Sequence, residues 1–334
     1  MYPRSEVFFT SELSADAIWN IYKKLSDKIN GKVGLKVHFG EKGNKYFIKP
    51  EMLRKLAKNL KALFVETNVL YASDRSYTKS HIELAAKHGF DPSAIDILDD
   101  EGQIEFPVDG KHFQKAKFGS HISNYDYFVI CSHFKGHALS GFGGAIKNVS
   151  MGMASIAGKM DMHASTIPKY KRKKCVQCGL CIPECPANAI TINPVTIDRT
   201  KCIGCGKCIG ICPEHVFSVP WKSTSESIFM ERMCEYAQAF LQENNAVFIN
   251  VLADISKDCD CMSHAARPFV RDIGILGSTD IVAAENASYD LVDKYFKSED
   301  SFEQINNVSG RNQIEYAHKI GLGNMEYDLI DLDK

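Results

Sequence analysis

The sequence predicts an α/β protein built on a mainly parallel sheet and interrupted by a small α+β insert. Three observations carry this expectation. Apolar β-branched runs alternate with helix-period segments through the first 167 residues, the same alternation resumes from residue 223, and eight of the twelve cysteines crowd between positions 175 and 212. The expected division is therefore 1–167 and 223–334 for the α/β part and 168–222 for the insert.

Val33 to Phe39 is an apolar run that ends at Gly40 and Glu41. Pro50 then opens a helical pattern through Met52, Leu53, Leu56, Leu60 and Leu63, because proline suits a first helical turn whose N–H groups lack partners. Ala62 to Val65 reads as the next strand, ending at Glu66 and Thr67; Ser80 to His88 reads as helix and Ile95 to Leu98 as strand. Tyr125 to Cys131 is a further buried strand. The segment that follows, SHFKGHALSGFGGAIKNVSMGMASIAGKMDMHAS, is rich in Gly, His and Lys and weak in periodicity, so it reads as a functional loop. After the cysteines, Glu226 to Gln242 reads as helix, Ala246 to Ile255 as strand, and Asp280 to Phe296 as a helix capped by Ser278 or Thr279.

Forty basic residues balance 41 acidic ones, a net charge of −1, so no whole-chain field draws nucleic acid or an anionic membrane. No apolar run approaches the roughly 20 residues that cross a bilayer. The start, MYPRSEVFFTSEL, lacks the basic and then apolar character of a secretory signal. A cytoplasmic protein without nucleic-acid or membrane partners is expected, and in that compartment crowded cysteines favour metal over disulfides.

Cys175, Cys178, Cys181 and Cys185 with Pro186 spell C-x2-C-x2-C-x3-C-P, and Cys202, Cys205, Cys208 and Cys212 with Pro213 repeat it. Such spacing holds two [4Fe–4S] clusters: three thiolates of one tight loop face one cube, and the fourth cysteine is carried to the other. Cys175, Cys178, Cys181 and Cys212 should hold the first cluster, and Cys202, Cys205, Cys208 and Cys185 the second. Structural zinc fits this doubled spacing poorly. AITINPVTIDRT, turning at Asn193 and Pro194, and HVFSVP supply the short strands of a ferredoxin-like α+β insert. Gly179, Gly204 and Gly206 suit loops whose N–H groups turn toward cluster sulfurs. The basic run KYKRKK at 169–174 is either a solvated linker or a docking patch for an acidic redox partner protein.

The segments GLKVHFGEKGN, HFKGHALSGFGGAIKNVSMGM, DCDC and RDIGILGSTDIVAAENAS, with the doubled cysteine motif among them, resemble the DUF362 family of iron–sulfur-associated proteins over nearly the whole chain. The resemblance implies the architecture and no particular reaction.

In parallel sheets ligands gather beyond the carboxyl ends of the strands, and here those ends are polar. His38 and Glu41, Glu66 and Thr67, Ser132, His133, Lys135 and His137, and Asp254 with Cys259 and Cys261 all follow strands. His133, Lys135, His137 and Lys147 are the candidate catalytic residues, with His163 a further imidazole. Gly141, Gly143 and Gly144 ahead of Lys147 and Asn148 would either bind a small anionic substrate or only permit tight turns. Cys259 and Cys261, near His264, would bind an additional metal ion, act as a redox dithiol, line a substrate site or stay inert. Cys131 and Cys234 read as core. No nucleotide or flavin fingerprint is present. The expected function is electron transfer, either as an oxidoreductase serving the crevice or as a non-enzymatic carrier that docks to a client.

Overall fold

Apolar strands buried on both faces belong at the centre of a sheet. In the computed structural model, which describes residues 4–26, 31–164, 166–221 and 223–334, Tyr127–His133 and Ala246–Leu252 are such strands. They pair in parallel at the middle of an eight-stranded sheet. Its order is Tyr327–Asp331, Ser5–Thr10, Gly274–Ser278, Ala246–Leu252, Tyr127–His133, Val33–Lys36, Leu63–Glu66 and Ile95–Ile97. Gly274–Ser278 runs against both its neighbours and the other pairings are parallel, so the fold is α/β with a mainly parallel sheet.

Successive strand residues face opposite sides, and the helices sort accordingly. Val129, Cys131, Val247, Ile249 and Val251 pack with helices Ala15–Leu25 and Pro50–Leu60. Phe128, Ile130 and Phe248 pack with Ala145–Met153, Glu226–Glu243 and Ile281–Phe296 on the other face. Cys131 and Cys234 are fully buried in these two layers, and burial pushes both thiols above their ordinary range.

Several expected boundaries move for local reasons. The Pro50 helix stops at Leu60, Lys61 takes a left-handed φ of 49°, and Leu63 opens the next strand instead of extending the helix. Asp280 caps the Ile281–Phe296 helix, accepting from the amides of Val282 and Ala283, in place of Ser278 or Thr279. The larger correction concerns 132–165. Lys135–His137 and Gly141–Gly143 form an antiparallel pair, and Ala145–Met153 and Ile156–His163 are helices. Their periodicity is weak because glycines admit buried charged chains: a Cβ on Gly144 would lie 2.4 Å from Glu285 Oε1, and one on Gly152 would lie 2.6 Å from Lys36 Cε.

The sheet takes strands from both sides of the cysteine segment. Within that segment Lys169–Tyr170 pairs with Phe217–Ser218, and Ile190–Ile192 pairs with Val195–Ile197, around the short helix Lys207–Ile211. The basic run is thus part strand and part single turn, Arg172–Lys174. Ile190, Val195, Ile197, Ile209 and Phe217 form a small apolar cluster that also takes in Leu70 and Met160 of the large sheet layer.

Phe118 is fully buried, its ring centroid 5.2 Å from that of Phe106 and 5.5 Å from that of Tyr236. Phe118→Ala should lower the unfolding free energy by about 3–5 kcal/mol, whereas Leu329→Ala at a solvated position should change it by no more than about 0.5 kcal/mol. Urea denaturation of the two variants checks this; equal small effects would contradict the core assignment.

Candidate functional site

The chain runs from Val33–Lys36 outward to Leu63–Glu66 and Ile95–Ile97, then returns to Tyr127–His133 on the other side of Val33–Lys36. The sheet order reverses there, which opens a crevice beyond the strand ends. A cavity of about 460 Å³ occupies that place. His38, Glu66, Ser132, His133 and Cys259 from the strand ends line it, with Lys147, Asn148 and His163 from the two helices that follow. Leu70, Leu139, Met151, Met262 and Trp221 make its apolar part.

Beneath the crevice lies a buried charge network. Arg75 Nη2 donates to Glu66 Oε1 at 2.8 Å, Nε donates to His81 Nε2 at 3.2 Å, and Nη1 lies 3.1 Å from His38 Nε2. Burial works against the Glu66 charge, but Arg75 and, less strongly, Lys36 outweigh it and hold the carboxyl well below its usual range. Burial keeps His81 neutral, down to about 4, and Lys36 down to about 7 despite Glu66. Lys36 Nζ donates to Val37 O and Asn148 Oδ1, and Lys159 Nζ to Ala154 O and Thr67 Oγ1. Burial lowers Lys159 to about 8 and raises Asp99, at the end of the neighbouring strand, to about 6.

The four candidate catalytic residues all reach the crevice, with different freedom. His133 has Asp260 Oδ1 2.8 Å from Nδ1 and the Ala253 carbonyl 2.8 Å from Nε2. Both ring nitrogens are therefore committed to hydrogen bonds, and the ring offers no free nitrogen to a ligand. Lys135 is spent on the His133 carbonyl at 2.9 Å and on Asp260 at 3.4 Å. His137 Nδ1 accepts from the amides of Leu139 and Ser140, which leaves the proton on Nε2. Burial holds His137 neutral, and His163 likewise, down to about 3. Lys147 Nζ donates to Cys259 Sγ at 3.2 Å, and that sulfur outweighs burial to hold the ammonium charged.

Cys259 is depressed far below an ordinary thiol, first by a hydrogen bond from Cys261 and then by Lys147 against the cost of burial; Cys261 is raised as the donor. Among the described residues no group of three or more His, Cys, Asp or Glu is arranged to hold one metal ion. The expected extra metal at Cys259 and Cys261 therefore lacks a third ligand: Asp260 is committed to His133 and Lys135, and the exposed His264 sits beside Gly43, outside the cavity lining. The glycine run also departs from an anion loop. The amide of Ala145, at the start of its helix, donates to Glu285 Oε1 at 2.6 Å, so the chain's own carboxyl fills that position. Burial raises Glu285 to about 7. Asn148, by contrast, reaches the crevice and donates to Cys131 O and Ser132 Oγ.

The eight motif cysteines fall into two groups. Cys175, Cys178, Cys181 and Cys212 line one small concavity, and Cys185, Cys202, Cys205 and Cys208 line another. The fourth cysteine of each motif thus stands with the other motif. Each of these fourth sulfurs also accepts a backbone amide four residues on, from Ala189 to Cys185 at 3.2 Å and from Val216 to Cys212 at 3.4 Å. Gly179, Gly204 and Gly206 have φ of 80°, 71° and 73°, turns that favour glycine. A Cβ on Gly206 would lie 2.7 Å from Leu70 Cδ1, so the second group packs directly against a side chain that lines the crevice. Trp221, at the end of the segment, lines the same cavity and meets the His163 ring edge-on at 4.7 Å.

Stability should fall as the pH drops from about 6.5 toward 4. His38, His81, His137 and His163 are all held below their ordinary value by burial, so each contributes stability that is present above about 6.5 and lost on acidification toward its folded value. Asp99 and Glu285, raised to about 6 and about 7, act in the opposite sense in that window but are fewer. A lower urea midpoint at pH 5 than at pH 7 is expected; an unchanged midpoint would contradict neutral buried imidazoles.

No curated protein matches the sequence. Among solved structures the chain is similar to the lactate racemase apoprotein from Thermoanaerobacterium thermosaccharolyticum, with 14% identity and a TM-score of 0.44 over 87% of this chain and 58% of that one. It is also similar to a protein from Thermotoga maritima, with 8% identity and a TM-score of 0.38 over 85% of this chain and 58% of that one. The chain spans little more than half the length of either. Residues 33–290 match the family described as a domain of unknown function, DUF362, and with most of its length inside that match the chain belongs to the DUF362 family.

Proposed function

We propose that this chain is an iron–sulfur electron-transfer protein, an oxidoreductase that passes electrons through two [4Fe–4S] clusters in a ferredoxin-like segment, 168–222, to a small anionic substrate in the α/β crevice. The grouping of the cysteines is the single observation on which this rests: each concavity offers four thiols, three from one loop and one from the other motif. That donor set suits a cube of four irons better than one zinc, whose four sulfurs must all lie about 2.3 Å from a single ion. When bound, the clusters supply one-electron transfer. The amides on Cys185 and Cys212 are suited to stabilise the added negative charge.

Two features link this segment to its surroundings. Inward, Leu70 separates the Cys185, Cys202, Cys205 and Cys208 group from the crevice by one side chain. Outward, Val176, Leu180, Ile182 and Ile203 on the cysteine loops expose apolar side chains, which suits transient docking of a redox partner protein. Among the described lining residues Lys147 is the cation whose partner is a sulfur and not a carboxylate, and it is the group that favours an anionic substrate. His137 offers it a neutral Nε2–H, and the apolar wall excludes water. A non-enzymatic carrier would need the exposed loops but not the buried Lys147–Cys259 pair, which favours the enzyme.

Anaerobically purified protein should contain about eight irons and eight sulfides per chain. The double variant Cys185→Ser/Cys205→Ser should keep about four irons, because both residues serve one cluster, whereas Cys178→Ser/Cys205→Ser should keep almost none. Zinc in place of iron would overturn the proposal. Near-complete loss of iron from Cys185→Ser/Cys205→Ser, the result if each motif held its own cluster, would overturn the crossed ligation.

A further inference from the structure

Cys259 and Cys261 remain unused by the electron path. Both thiols are free, both line the crevice, and they sit two residues apart on the loop after Ala246–Leu252. The Cys261 amide donates to Cys259 Sγ at 3.5 Å, so one tight turn holds the two residues together at the crevice. Lys147 Nζ, 3.2 Å from Cys259, is a fixed counter-charge. The loop itself is pinned: the Glu41 amide donates to Asp260 O at 3.1 Å, and the Asp260 carboxyl is held by His133 and Lys135. Two soft donors with no third ligand, one of them aimed at an ammonium, suit thiol chemistry better than an ion.

We propose that Cys259 and Cys261 are a redox-active dithiol that reduces a small carboxylate-bearing disulfide in the crevice and is recharged by the clusters. This rests on the reading above for its electron supply but not for its exchange chemistry. In the substrate step Cys259 sulfur attacks one substrate sulfur, the substrate S–S bond breaks, and the other half leaves as a thiol after taking a proton from water. Cys261 then attacks Cys259 Sγ, its proton passes to the departing sulfur, and a Cys259–Cys261 disulfide and a second product thiol result. With the two clusters bound and reduced, each would supply one electron, and with one proton the disulfide would open to leave Cys259 as the sulfur beside Lys147 and Cys261 as thiol. Lys147, the crevice cation whose partner is a sulfur and not a carboxylate, meets a carboxylate of the substrate.

Dithiodiglycolate, a dianionic disulfide, is the probe. Anaerobic protein treated with it and digested should yield a 259–261 peptide lighter by two hydrogens and should release two equivalents of mercaptoacetate. Cys261→Ser should instead trap mercaptoacetate as a mixed disulfide on Cys259. Lys147→Met should slow alkylation of Cys259 by iodoacetamide at pH 7 by about tenfold or more. Reducing the clusters of the disulfide form with dithionite, followed by removal of the reductant, should restore both thiols with two cluster oxidations per disulfide. Thiols that survive dithiodiglycolate, or a metal lost on Cys259→Ser with the eight cluster cysteines intact, would overturn the dithiol. Protein without iron that still forms the disulfide and the trapped adduct would keep the dithiol and overturn its recharging, so the two failures are read separately.

Discussion

The buried Glu66–Arg75 ion pair is the constraint on which the crevice depends. Glu66 ends the strand next to the sheet's outer edge, and Arg75 returns to it from the far side of the loop it closes. The Val69 amide donates to the Arg75 carbonyl, Ser73 and Tyr71 hydroxyls donate to Glu41, and Tyr77 donates to Gly210 O in the cysteine segment. Removing one partner of such a pair leaves a charge stranded in a low dielectric, a cost of about 3–5 kcal/mol, so the loop has one arrangement. That arrangement sets Leu70 between the crevice and Gly206.

The same pair explains the protonation pattern around it. Arg75 carries a permanent charge and lies against two imidazoles, so with burial it keeps His38 and His81 neutral while keeping Glu66 ionised. Farther along the sheet, Asp260 does the corresponding work for His133 and Lys135. Charges that would otherwise be free to react are thereby committed to structure. The crevice is left with His137, His163, Lys147 and Cys259 as groups whose polar atoms face a ligand.

Much of this was legible in the sequence because strand ends in a parallel sheet converge by topology. His38, Glu66, Ser132, His133 and Cys259 meet for that reason alone. The cysteine grouping was legible from spacing. Lys36, Arg75 and Lys159 were not, since a lysine closing an apolar strand or an arginine in a loop carries no pattern that distinguishes burial from solvation. The edge strand Tyr327–Asp331 and its neighbour Ser5–Thr10 also lacked the long apolar runs of the central strands. The capping of helix Ala145–Met153 by Glu285 joins residues 140 apart in sequence, a separation that local patterns do not read.

Low-temperature EPR of the anaerobic, dithionite-reduced protein tests the central claim most directly. Two clusters held by crossed quartets lie close together, so the account predicts a complex signal broadened by interaction of two reduced centres, of which only the narrower part remains after partial reduction. A reduced protein with no paramagnetic centre, or with the signal of a single isolated cluster at full reduction, would contradict it.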